Sequence, residues 1–227
     1  MATVIEPRTQ PAEAERRFLL TDVGWDGYEA ILKIVGDRPI RITYDRGDLE
    51  FFMPGRPHER YKHLLGRMIV DVTVELEIPC IGAASTTWRR QDLDRGLEPD
   101  ECFYLASMER IIDKEELDLT IDPPPDLAIE IDISRSSLDR MGIYAALGVP
   151  EIRRFDGKTL RVGRLGEDGT YLPCPSSPAL SFLPMDEVVR FLRLAEGMDH
   201  SRWGREFRAW VRDELAPRHR GGAGAGA

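Results

Sequence analysis

The chain has 227 residues, of which 42% are hydrophobic and 31% are charged. This length suffices for one well-buried domain with extensions. A formal net charge of −9 argues against a surface coated in basic residues, although it leaves room for a local basic cleft. No apolar run is long enough to cross a bilayer, and the polar segment 1–11 lacks a signal-peptide core, so we expect a cytoplasmic protein without membrane contact. Three widely spaced cysteines predict neither a disulfide framework nor a zinc site.

The first half of the chain predicts helices and strands that follow a flexible lead-in over residues 1–17. Apolar residues at helical spacing predict helices over residues 25–35 and, most strongly, over residues 58–76. Between these helices, residues 38–53 read as a β-hairpin that turns at 45–48. Two further strands are expected near residues 79–88 and 99–105.

The second half begins with three prolines that force an extended entry into an acidic strand over residues 125–133. We expect a serine-capped helix that ends at Gly148, a hairpin around Asp156-Gly157, a strand at Tyr171 and two final helices. The whole pattern predicts an α/β fold with a mixed sheet flanked by helices. The predicted units are a domain over residues 18–183, a C-terminal helical extension over 184–216 and a flexible tail over 217–227.

Acidic side chains on two neighbouring strands are the main sign of function. In the strand 125–133, Asp126, Glu130 and Asp132 alternate with apolar residues and are expected on one face. Carboxylates on a buried strand repel each other and lose hydration, so they are tolerated mainly where a cation or a reaction uses them. If Asp100 lies on the neighbouring strand, Asp100 and Glu130 could hold Mg²⁺ or Mn²⁺. The plainer alternative makes Asp100 a turn residue and Glu130 an edge charge.

These residues carry a resemblance to a known family. Pro99-Asp100, followed later by Glu130 in an apolar strand, resembles the PD-(D/E)XK nuclease superfamily. The stretch from Pro124 to Ile131, with the serines after it and the segment from Tyr144 to Glu151, looks more specifically like the Uma-type putative restriction endonuclease family. The resemblance covers roughly residues 24–180. It implies a restriction-endonuclease-like fold and metal-dependent cleavage of DNA.

The resemblance also implies roles for single residues. Asp100 would be the Pro-Asp acid and Glu130 the second metal ligand, while Asp126 and His58 fit the family pattern without a fixed role. The superfamily lysine lies two residues after the second acid, where this chain has Asp132. The resemblance suggests that the cation has moved to the next helix, at Arg140. An arginine can stabilise phosphate charge but is a poor base. Alternatively, Arg140 forms an ion pair with Glu130 or Asp139.

Several further side chains allow two interpretations each. His58 could accept a proton or contact phosphate, or it could be a polar residue at a helix start. Glu50 could be a third acid in the cleft, but a solvated hairpin charge is the preferred interpretation. A basic group on the second hairpin could line a phosphate-binding surface, and it comprises Arg153, Arg154, Lys158, Arg161 and Arg164.

The last helix carries more large apolar residues than a lone surface helix needs, which predicts a homodimer. These residues are Trp203, Phe207, Trp210 and Val211.

The sequence therefore favours Mg²⁺-dependent hydrolysis of DNA phosphodiester bonds. The alternative is a catalytically degenerate nuclease fold that acts as a binding or assembly module. The missing lysine, Asp132 in its place and the net charge of −9 favour that alternative. A different kind of phosphate-binding enzyme has no glycine-rich loop to support it.

Overall fold

The structure is a computed structural model that describes residues 15–223, with side chains up to residue 219. The strands of this part of the chain are β1 (Arg16–Leu20), β2 (Arg41–Asp45), β3 (Asp48–Met53), β4 (Ile81–Gly82), β5 (Trp88–Arg90), β6 (Arg95–Leu97), β7 (Glu101–Tyr104), β8 (Leu127–Ile131), β9 (Glu151–Phe155), β10 (Leu160–Leu165) and β11 (Tyr171–Cys174). Its α-helices are α1 (Trp25–Val35), α2 (Arg56–Glu75), α3 (Arg140–Leu147), α4 (Met185–Leu194), α5 (His200–Trp210) and α6 (Ala216–Ala223). A π-helical turn, Val211–Leu215, joins α5 to α6.

The strands form two sheets. The five-stranded sheet has the order β1-β3-β2-β6-β5 and is antiparallel throughout. The six-stranded sheet has the order β11-β10-β9-β8-β7-β4, in which β8 and β9 are parallel and α3 makes the crossover between them. The predicted α/β class with helices on a mixed sheet and helices at the C-terminus is confirmed, although the strands divide between two sheets.

Two strands and the C-terminal tail differ from the sequence-based expectation. β1 begins at Arg16, inside the expected lead-in. It was not predicted because Phe18, Leu19 and Leu20 give no alternation to mark a strand. Residues 1–14 lie outside the described part. The short strand β6 was not predicted. α6 covers the expected start of the tail at 217, while residues 224–227 lie outside the described part.

The helix α3 has a different N-cap residue from the one expected. Its N-cap is Asp139, whose carboxylate accepts a hydrogen bond from the Gly142 amide at 3.1 Å, rather than one of the preceding serines. It ends as predicted at Gly148, which adopts a left-handed conformation with φ of 79°. This placement makes Arg140 the first residue of the helix, next to the sheet.

The strand β8 separates two layers of packing. On one face of the strand, Leu127, Ile129 and Ile131 enter a core formed with α2, α4 and α5. Ala128 packs in a second core with residues of α3, so Glu130, which alternates onto the same face, lies beneath α3. Ile133 was expected in the core but follows the end of the strand and is 42% exposed. Glu130 therefore lies on a central strand, which is fixed by the apolar residues buried on its opposite face.

The apolar face of α5 is used inside the chain. Trp203 and Phe207 are fully buried against α2 and α4, and the Trp203 indole donates to the Phe191 carbonyl at 2.8 Å. The surplus of large apolar residues that suggested a homodimer is therefore explained by intramolecular packing. None of the helices in the described part of the chain has the length and apolar character needed to span a bilayer.

One residue of the predicted basic surface belongs to the core instead. Arg153 is 1% exposed and donates to Glu151 Oε1 at 2.8 Å and to Ser177 Oγ at 2.6 Å. Glu151 Oε2 in turn accepts from Ser177 Oγ at 2.9 Å and from the Ala179 amide at 2.7 Å. This closed network ties the segment before α4 to β9. Arg153 therefore cannot contact phosphate.

Removing Glu151 should expose the dependence of the fold on this network. Glu151→Ala leaves the Arg153 guanidinium buried without its counter-ion, so we expect a loss of about 3–5 kcal/mol in the free energy of unfolding. The matched control is Glu187→Ala, which breaks the exposed ion pair with Arg190 and should cost less than about 1 kcal/mol. Urea unfolding of both variants is the measurement, and equal losses would contradict this role.

Candidate active site

Glu130 is a buried carboxylate with a fully formed set of partners. Arg140 donates from Nε to Oε2 at 3.0 Å and from Nη2 to Oε1 at 2.6 Å, and the Tyr144 hydroxyl also donates to Oε1. Burial alone would lower the pKa of Arg140, but the adjacent Glu130 carboxylate outweighs it and raises that pKa. Burial and the same carboxylate raise the pKa of Tyr144 well above its ordinary value. Arg140 is therefore a permanent cation.

Arg140 also joins the two sheets. Its Nη1 donates to the Thr43 hydroxyl on β2, and its Nη2 donates to the Glu98 carbonyl at 2.8 Å, just before β7. The predicted alternative of an ion pair with Glu130 is thus present in the structure, while Asp139 caps the helix. A planar guanidinium suits such a site because it donates in several fixed directions at once.

Asp100 lies at the same end of the sheet as Glu130. The ladder between β7 and β8 pairs Glu101 with Ile129, so the next position outward brings Asp100 opposite Glu130. Asp100 is 2% exposed, and its Oδ2 accepts from the Ile131 amide at 2.6 Å. Its Oδ1 lies 2.8 Å from His58 Nε2 and forms an ion pair with Arg41. The bond from the Ile131 amide places the Asp100 carboxylate against the residue that follows Glu130. The sharing of one metal by the two acids stays a prediction.

His58 stands in the first turn of α2 and is almost fully buried. Its Nε2 contacts Asp100, and its Nδ1 lies 3.1 Å from Glu15 Oε1. Burial lowers the pKa of His58 to about 3, and the positive charges of Arg41 and Arg17 add to this effect. His58 is therefore neutral at pH 7, and its contacts make it a support for Asp100.

Glu50 is a site residue that the sequence interpretation misjudged. It was expected as a solvated hairpin charge, but it is 1% exposed. Its Oε1 accepts from Arg17 Nη1 at 2.8 Å and from Ser136 Oγ at 2.7 Å, and its Oε2 accepts from the Ser137 amide at 2.7 Å. The serines that were expected to cap α3 bind Glu50 instead. Its position between the apolar residues 49 and 51 on a central strand was the available signal.

Asp126 does not join the other acids. Its Oδ2 accepts from the Leu105 amide at 2.7 Å and from the Ser107 amide and hydroxyl at 3.0 and 2.9 Å. It therefore fixes the loop after β7. Asp132 follows the end of β8 and forms an ion pair with Arg154. The expected row of three carboxylates fails at Asp126, which precedes β8 and binds a loop. Asp132 lies past the end of β8 but lines the same cleft as Glu130.

The donor atoms at Asp100 and Glu130 suit a hard divalent cation. Residues 15–223 contain no group of three His, Cys, Asp or Glu side chains arranged around a common metal position. However, Asp100 Oδ2 and Glu130 Oε2 each accept a single hydrogen bond from the residues that the structure describes, which leaves a second lone pair for a ligand. Mg²⁺ commonly takes one or two carboxylates together with water and phosphate oxygens. The pair fits such an ion.

Several buried or half-buried charges surround the two acids. The buried or half-buried carboxylates around Arg41 and Arg140 are Glu50, Glu98, Asp100 and Glu130. Three arginines, Arg17, Arg41 and Arg140, face these four acids. Burial raises the pKa of Glu98, against the lowering effect of the Thr87 hydrogen bond and of the nearby charges of Arg41 and Arg140.

A solvent-filled cleft of about 850 Å³ gives access to Glu130 and Arg140. It extends from these residues along the β9–β10 hairpin, past Arg154 and Lys158 to Arg161. Glu130 and Arg140 therefore line a groove that is open to solvent, whereas Asp100 is buried behind them and does not line it.

Two sheets flanked by helices, with paired acids at the ends of neighbouring strands, define a nuclease-like α/β protein. A family model described as "Uma2: Putative restriction endonuclease" matches residues 25–195, so the chain belongs to the Uma2 family. The predicted family resemblance is confirmed.

A solved structure supports the fold. It is the "putative nuclease belonging to DUF820 from Anabaena variabilis ATCC 29413", which is 16% identical in sequence with a TM-score of 0.52. The match covers 71% of this chain and 96% of that chain, and it confirms the restriction-endonuclease-like fold. A comparison with curated proteins finds no match.

The lowered pKa of His58 predicts acid sensitivity. Below its ordinary pKa of 6.5 the unfolded chain binds a proton that the folded chain refuses until about pH 3. Stability is therefore full above pH 6.5 and falls as the pH drops through this window. His58→Gln, which cannot titrate, should show a flatter dependence in urea unfolding, whereas the control His219→Gln should follow the wild type. Parallel curves for His58→Gln and the wild type would refute the assignment.

Proposed function

We propose that this protein is a divalent-metal-dependent endonuclease that hydrolyses phosphodiester bonds in DNA. The observation that carries the proposal is the buried pair Asp100 and Glu130, brought together at the ends of β7 and β8 with Arg140 held beside them. Mg²⁺ is the expected ion, and Mn²⁺ can replace it. The membership in a restriction endonuclease family supports DNA as the substrate.

In this proposal the acids hold the metal through their free lone pairs. Such an ion would neutralise phosphate charge and lower the pKa of a bound water. The protein's contribution is to fix the donors: the Ile131 amide and His58 orient Asp100, while Tyr144 and Arg140 orient Glu130. His58 is a positioning residue, since its ring is buried against Asp100 and does not line the cleft; as a neutral imidazole it donates one hydrogen bond.

Arg140 provides the positive charge that the superfamily lysine supplies elsewhere. Its Nε and Nη2 hydrogens are occupied by Glu130 and the Glu98 carbonyl, and one Nη1 hydrogen is occupied by Thr43. The remaining Nη1 hydrogen has no acceptor among the described residues and can bond to a phosphate oxygen. A preorganised donor aimed at developing charge stabilises the transition state without rearrangement. Arg140 does not act as a base.

One observation favours a second function, a binding or assembly module without catalysis. Arg41 and Arg140 already neutralise Asp100 and Glu130, so the acids are balanced without a metal. The homodimer stays a prediction. The face of α5 is buried within the chain, so a dimer would need another apolar surface, such as exposed Phe18 on β1.

Metal binding is the first test of the proposal. Mg²⁺ and Mn²⁺ should bind the wild type in calorimetry, and the double variant Asp100→Asn, Glu130→Gln should lose this binding because it removes the charge while keeping the shape. The control is Glu214→Gln on the exposed C-terminal turn. Circular dichroism confirms that the double variant is folded. Unchanged metal affinity in a folded double variant would remove Asp100 and Glu130 as ligands.

Catalysis is the second test. Arg140→Ala should reduce plasmid nicking by about a hundredfold to a thousandfold, the usual effect of losing one transition-state donor. Arg140→Lys should restore part of the rate because the charge is kept. Metal affinity should stay nearly intact in both variants, and Arg205→Ala on α5 is the control.

The comparison must include Glu130→Gln. Equal nicking by wild type, Arg140→Ala and Glu130→Gln would indicate a contaminating nuclease, and the catalytic assignment would be wrong. No metal-dependent nicking by the wild type on supercoiled, nicked or single-stranded DNA would select the binding module.

A further inference from the structure

A row of charged residues crosses three strands of the six-stranded sheet. The register pairs Glu130 on β8 with Arg154 on β9, and Arg154 with Arg161 on β10. Paired positions share one face of a sheet, and all three side chains line the same cleft. Neighbouring strands are about 4.8 Å apart, so Arg161 lies about 10 Å from Glu130 across the sheet.

Two arginines directly opposite each other are unfavourable unless both are neutralised. Here Arg154 pairs with Asp132, and Arg161 pairs with Asp156 at 2.8 Å. Both arginines are more than 40% exposed, and exposed ion pairs of this kind contribute little to stability. Stability therefore does not explain the arrangement, and either arginine can exchange its carboxylate for another anion at little cost.

Beyond this row the cleft carries cations that have no acidic partner among the described side chains. Arg135 and Lys158 are exposed and line the cleft, and neither forms an ion pair with any residue from 15 to 219. Lys158 also lines an adjoining groove of about 480 Å³ with Arg193 of α4, which is likewise exposed and without a carboxylate partner in that part of the chain. Positive charge therefore continues from the Arg140 end of the cleft, across the hairpin, to α4.

We propose that these five residues, Arg135, Arg154, Lys158, Arg161 and Arg193, form a basic groove that binds backbone phosphates of duplex DNA on one side of the cleaved bond. This inference rests on the proposed function.

The basic groove also explains Asp132 and Asp156. In the free protein their carboxylates hold Arg154 and Arg161 in extended positions beside the cleft. Backbone phosphates replace these carboxylates when DNA binds, so the two acids act as internal competitors of the ligand. A protein with a net charge of −9 can bind DNA through such a local surface because the phosphates meet its exposed cations, two of which have to be released from Asp132 and Asp156.

The test is fluorescence anisotropy with a labelled duplex of random sequence, in EDTA and at several salt concentrations. Lys158→Ala and Arg193→Ala should each weaken binding about eightfold at 0.1 M salt and reduce the salt slope by about one. Lys33→Ala, an exposed lysine on α1, is the control and should bind like the wild type.

A gain of affinity gives the sharper test, because misfolding cannot produce it. Asp132→Asn frees Arg154, so binding should tighten by up to about eightfold at 0.1 M salt and the salt slope should steepen by about one. The control is Glu206→Gln, which frees Arg202 from a more exposed ion pair on α5 and should change nothing.

The outcomes separate the two proposals. If the wild type nicks plasmid but Lys158→Ala binds like Lys33→Ala, or Asp132→Asn binds no tighter than Glu206→Gln, the basic groove is wrong and the nuclease proposal stands. If the groove variants behave as expected but no nicking occurs, the groove stands and the binding module replaces the nuclease. A wild type that does not bind duplex DNA overturns both.

Discussion

The burial of the Glu130 carboxylate in the middle of the six-stranded sheet is the constraint on which the site depends. A charge in that position is costly unless it is paired and hydrogen-bonded. Arg140 and Tyr144 provide this pairing from α3. Because the same guanidinium bonds to Thr43 on β2 and to the Glu98 carbonyl, neutralising Glu130 also fixes the two sheets relative to each other. Asp100, held by Arg41, His58 and the Ile131 amide, repeats the pattern one strand away.

Much of this arrangement could be predicted from local sequence patterns. The helix Trp25–Val35 has the predicted bounds, and the neighbouring placement of Asp100 and Glu130 followed from two strand patterns. Strand alternation failed before the strand begins, where Asp126 binds the loop after β7. Past the end of β8, Asp132 still lines the cleft of Glu130, where it pairs with Arg154. Glu50 was missed because its partners, Arg17 and two serines, are distant in sequence, and only folding brings them together.

Neighbouring residues on β9 show how alternation divides one basic cluster. Arg153 points into the core, where Glu151 and Ser177 satisfy it, whereas Arg154 lies on the cleft face beside Glu130. Composition gives both residues the same charge, yet one stabilises the fold and the other is available to a ligand. The net charge of −9 likewise conceals an access cleft along which several cations lack carboxylate partners in the described part of the chain. The net charge of a chain therefore does not predict where it can bind an anion; the face and the ion-pair partner of each cation decide this.

The central claim is that Asp100 and Glu130 share a divalent cation. The most direct measurement is anomalous diffraction at the manganese edge from crystals soaked in Mn²⁺. The account predicts a single strong peak between the two carboxylates, in contact with Asp100 Oδ2 and Glu130 Oε2. An absence of any peak there at saturating Mn²⁺, with Arg41 and Arg140 still paired to the two acids, would contradict the account.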